Sequence, residues 1–71
     1  MKTHAEKALD FFKKALELQK NNPKYLNALV ELYITLRQRL RAEKALENLR
    51  KANPDNQKLS EFDARIGEMP Y

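Results

Sequence analysis

Apolar residues recur every three or four positions along most of the chain, and the recurrence breaks in three places. The first run, Ala5, Ala8, Leu9, Phe12, Ala15 and Leu16, marks one face of a helix and predicts that helix over residues 4–20. Thr3 stands three residues before Glu6, the spacing of a capping box in which the hydroxyl accepts from the Glu6 amide and the carboxylate reaches back. Phe11 and Leu18 add a second apolar stripe beside the first. A face that wide usually meets more than one neighbour.

Asn21, Asn22 and Pro23 stop the first helix and start the next, with Asn22 suited to the N-cap and Pro23 to the first helical position. The second run is Leu26, Leu29, Val30, Tyr33, Leu36 and Leu40. Its steps would continue at 43 and 47, but those positions hold Glu43 and Glu47. The stripe restarts instead at Ala42, Ala45, Leu46, Leu49 and Ala52. A turn near residues 37–41 produces such a phase break. Propensity alone leaves one continuous helix open, because no Gly or Pro lies between Lys24 and Asn53. Asn53 and Pro54 mark the third break. A short helix over 57–66 follows, with Leu59, Phe62 and Ile66 on one face and Gly67 placed to cap its C-terminus.

Residues 5–15 are echoed at 42–52, with seven of the eleven identical: Ala5, Glu6, Lys7, Ala8, Leu9, Lys14 and Ala15 return as Ala42, Glu43, Lys44, Ala45, Leu46, Lys51 and Ala52. Both copies lead into an Asn-Pro. A repeat of this period points to a helical array. The chain resembles the tetratricopeptide repeat family. Leu26 falls where that family's first large residue stands, Leu29 and Val30 on its Leu-Gly pair, and Tyr33 on its Tyr. Ala42 falls on the small residue of the second helix, Leu46 stands in for Phe, and Pro54 is the closing proline. Both family glycines are replaced, by Val30 and by Arg37, and Arg39 replaces the aromatic that often follows.

The resemblance implies an all-α array of three long helices plus a short C-terminal one. Residues 1–71 then form one domain, as a half unit (3–22), a full unit (23–56) and a partial unit or cap (57–67). It also implies contact with a protein or peptide through a concave surface lined by the first helix of each unit. The residues of that helix between its core positions are Lys24, Asn27, Glu31, Ile34 and Thr35. Ile34 among polar neighbours suits gripping a ligand chain. Some family members clamp a peptide C-terminus with several Lys, Arg and Asn side chains; Lys24 and Asn27 alone do not make that clamp.

Composition narrows the chemistry. There is no cysteine, hence no disulfide or thiolate metal site. His4, the only histidine, has no orienting partner in sequence and reads as solvated. One glycine cannot build a phosphate-binding loop. No catalytic, cofactor-binding or metal-binding residue is expected, and Glu31 reads as a surface carboxylate. The start of the chain carries no secretory pattern and no apolar stretch long enough to span a membrane, so a cytoplasmic protein is expected. The net charge is +4. Residues 37–54 hold six basic and two acidic side chains, whereas 55–71 hold two and four. Arg37, Arg39, Arg41 and Lys44 are therefore a candidate basic patch, extended by Arg50 and Lys51. It suits an acidic peptide or, as a lesser reading, weak nucleic-acid binding, although no aromatic interleaves with the arginines. The remaining alternative is a self-associating helical unit, such as a homodimer. The near-copied eleven residues also fit a designed protein, and the irregular Asn-rich loops fit a natural one better.

Overall fold

The computed structural model describes residues 3–70; Met1, Lys2 and Tyr71, which the single-domain reading includes, lie outside the described residues. Among the described residues four helices follow one another: α1 (His4–Leu18), α2 (Pro23–Thr35), α3 (Arg39–Ala52) and α4 (Leu59–Gly67). They make a slab whose Cα atoms span 34 × 31 × 15 Å. In so thin a slab every helix keeps a face with no other helix over it.

The starts of α1 and α2 are fixed by their caps. Glu6 N–H donates to Thr3 Oγ1 at 3.2 Å, and Thr3 N–H donates to Glu6 Oε1 at 3.2 Å, closing the capping box. Asn22 Oδ1 accepts from Lys24 N–H at 2.9 Å, with Pro23 at the first helical position. α1 stops two residues short of the expected end, at Leu18.

The chain turns between α2 and α3, and the turn is tighter than residues 37–41. Arg37 takes φ 58°, the left-handed region. Its N–H donates to Ile34 O at 3.0 Å and Gln38 N–H donates to Tyr33 O at 2.9 Å, the paired bonds of a Schellman ending. The helix therefore ends without glycine, because those two bonds hold Arg37 in a conformation that ordinarily costs a non-glycine residue about 1–2 kcal/mol. Leu40 consequently belongs to the first turn of α3, not to the α2 stripe, and is 71% exposed. Gln38 Oε1 is buried there without a hydrogen-bond partner among the described residues. At the other end of the chain α4 begins at Leu59 and includes Gly67; Glu68 is the cap, and Gly67 has no positive φ. The left-handed cap expected of Gly67 does not form.

α2 is the hub. Leu26, Leu29, Val30 and Tyr33 are buried against Leu9 of α1 and against Ala42, Ala45, Leu46 and Leu49 of α3, and Phe62 and Ile66 of α4 close the same core. Ala42 and Ala45 let α3 approach α2 closely, and Val30, standing where the family has glycine, is fully buried. Arg50 joins α3 to α4 through Asp63 at 2.7 Å. α1 touches only α2. Its second stripe is consequently bare, with Phe11 62% and Leu18 88% exposed.

Candidate functional site

The α2 residues singled out in the sequence share one side of that helix, beside α4. Lys24, Glu31 and Thr35 are exposed; Asn27 and Ile34, expected to be exposed as well, are half-buried. The reason is α4. The turn that leads into it brings Asn56 Nδ2 to Asn27 Oδ1 at 2.9 Å, and Lys58 Nζ to within 3.7 Å of Glu31 Oε1. Ile34 packs against the core and also lines a hollow of about 300 Å³ with Arg65, Met69 and Pro70. The α2–α4 side therefore carries one hollow, at its Ile34 end, with Arg37, Arg65 and Glu68 supplying polar groups of both signs beside that apolar spot.

The basic patch is divided. Arg37, Arg39 and Arg41 border one hollow of about 480 Å³ together with Leu40 and Pro70. Arg39 is held inward: its Nε donates to Glu43 Oε1 at 3.0 Å and its guanidinium also donates to the Met69 carbonyl, so it braces the end of α4 against α3. Arg37, Arg41 and Lys44 are exposed and form no ion pair among the described residues. Arg41 and Lys44 lie on the flank of α3 that faces α1. α3 begins with Arg39 and Arg41 in its first turn, no acidic residue and no side-chain cap, an arrangement that the helix dipole disfavours.

His4 is exposed, as is Glu31, and among the described residues no three His, Asp or Glu side chains come together as metal ligands do. No helix of the described residues is long and apolar enough to cross a membrane.

Two antiparallel pairings around one shared helix, each held by small and aliphatic residues repeating along the chain, define a helical-repeat scaffold. The family model described as tetratricopeptide repeat matches residues 3–66, and the chain belongs to that family. A search of curated proteins and one of solved structures returned no match. Tetratricopeptide repeats are a non-catalytic scaffold that generally mediates contact between proteins.

Proposed function

We propose that this chain is a protein-interaction module whose α2–α4 face receives a peptide or a partner helix. The observation that carries the reading is the placement of Ile34, an aliphatic side chain bordering an open hollow with Arg37, Arg65 and Glu68 between α2 and the end of α4, on the same side of α2 as the exposed Glu31 and Thr35 and, nearer its start, Lys24. An apolar anchor with a polar surround is how short helices and extended segments are gripped in grooves. Mixed charge on the face favours a ligand carrying both signs over a simple polyanion.

The test begins with peptides selected from a random library against the immobilised chain. Thr35→Glu, an exposed change, and Ile34→Lys, which removes the anchor, are expected to weaken the selected peptides about tenfold or more. Unchanged binding in both variants, with far-UV circular dichroism showing intact helices, contradicts the reading.

A second reading rests on Phe11 and Leu18. Large apolar side chains left this exposed on α1 favour self-association of the chain. A homodimer through α1 leaves the α2–α4 face open.

A further inference from the structure

α1 and α3 both rest on α2, yet no Cα of one lies within 8 Å of a Cα of the other. A furrow separates them. Two hollows of about 390 and 400 Å³, sharing Leu29 and Asn48, run along it and are open to solvent. The floor is apolar, made by Leu26, Leu29 and Tyr33 of α2. The rims are basic on both sides. Lys13 and Lys20 come from α1 and the turn after it, and Arg41, Lys44 and Lys51 come from α3. All five are exposed.

Among the described residues no acidic side chain lines either hollow. Of these five cations, Lys51 alone meets a carboxylate among the described residues, Glu47 of its own helix at 3.3 Å. Lys13 lies 5.9 Å from the centre of the Tyr33 ring. Cations facing one another across an apolar floor repel, and Arg41 also stands at the positive end of α3. The Lys13–Tyr33 contact and the Lys51–Glu47 pair offset only part of this repulsion, since Lys20, Arg41 and Lys44 meet no carboxylate among the described residues. A ligand that brings negative charge relieves it.

We infer that the furrow is a second docking surface, on a different side of α2 from the α2–α4 face, and that its occupant is an acidic amphipathic segment of a partner protein. Apolar side chains of that segment sit on Leu26, Leu29 and Tyr33, and its carboxylates face the two basic rims. The apolar floor decides against nucleic acid. A phosphate backbone has nothing to place there, and Tyr33, 7% exposed beneath Lys13, gives no ring on which a base can stack. A second copy of this chain is also a poor occupant. Its acidic C-terminal segment already turns Phe62 and Ile66 into its own core.

The test is fluorescence anisotropy of the intact chain with a labelled peptide of Glu and Leu at helical spacing. A scrambled peptide, an all-Glu peptide and oligo(dT) serve as comparisons. The Glu/Leu peptide is expected to bind best and to weaken several-fold between roughly 50 and 200 mM salt. The paired change Arg41→Glu with Lys44→Glu is expected to lower affinity about tenfold or more, while Lys24→Glu with Arg65→Glu, the same charge change outside the furrow, stays within about twofold. All four positions are exposed, and circular dichroism checks that both variants remain helical. Four results overturn the inference. They are no binding of the Glu/Leu peptide, equal or tighter binding of the all-Glu peptide, tighter binding of oligo(dT), and a loss confined to the Lys24/Arg65 variant. The last result places the peptide on the α2–α4 face instead, so the two surfaces stand or fall separately.

Discussion

Asn56 donates its side-chain amide to Asn27 Oδ1 at 2.9 Å, while its own Oδ1 accepts from the Lys58 backbone N–H at 2.8 Å. One side chain thus shapes the turn before α4 and fastens that turn to α2. Asn56→Ala removes both bonds, and Asn27→Ala only the first. Urea unfolding is expected to show losses of about 1–2 kcal/mol for Asn56→Ala and about 0.5–1.5 kcal/mol for Asn27→Ala. Amide exchange should accelerate in α4 before it does in α1. Equal losses in the two variants would mean that the turn holds without Asn56.

Arg37 makes the α2–α3 turn at a conformational cost that glycine does not bear. The left-handed region costs a side-chain-bearing residue about 1–2 kcal/mol, and glycine loses about 0.5–1 kcal/mol more backbone entropy on folding. Arg37→Gly is therefore expected to stabilise the chain by about 0.5–1 kcal/mol, and Arg37→Val to destabilise it by at least about 1 kcal/mol. Thermal melts of the two variants check the order. A stabilised Arg37→Val would show that residue 37 is not left-handed.

Phe62 is fully buried and ties α4 to the core. Replacing such a side chain by alanine costs about 3–5 kcal/mol. The whole stability expected of a domain this size is also about 3–5 kcal/mol. Phe62→Ala should therefore be largely unfolded at room temperature by far-UV circular dichroism. A cooperative, near-native melt in this variant would show that α1, α2 and α3 form a stable core without α4.

Much of this fold was legible in the sequence, and the failures share a cause. The Thr3–Glu6 box and the Asn22–Pro23 start are local chemistry, and the loss of phase at Glu43 and Glu47, with the restart at Ala42, pointed to the separation of α2 from α3. Hydrophobic phase gave the turn only as near residues 37–41, and one continuous helix stayed open, because the glycine that usually marks such a turn is replaced by Arg37 and two backbone bonds do the work instead. Leu40 fitted the α2 spacing by coincidence of register. At the candidate site, the side of α2 could be read from helical spacing, but the half-burial of Asn27 and Ile34 depends on where α4 folds back. Lys13 and Lys20 were not singled out, since only the packing of α1 and α3 on a common helix sets them opposite Arg41 and Lys44. No local pattern carries that information.

The bare stripe on α1 gives a prediction of its own. Phe11→Lys with Leu18→Lys changes two exposed positions and should leave the melting temperature within a few degrees. Light scattering over a wide concentration range is expected to show the wild-type mass rising with concentration and the double variant staying monomeric. A wild-type chain that remains monomeric throughout contradicts self-association through α1.

The central claim is that α2 presents a ligand-binding face, and amide chemical-shift mapping of the isotope-labelled chain with a library-selected peptide tests it most directly. The account predicts shifts concentrated at Lys24, Asn27, Glu31, Ile34 and Thr35, extending to the facing side of α4. Shifts that all fall outside α2 would contradict it.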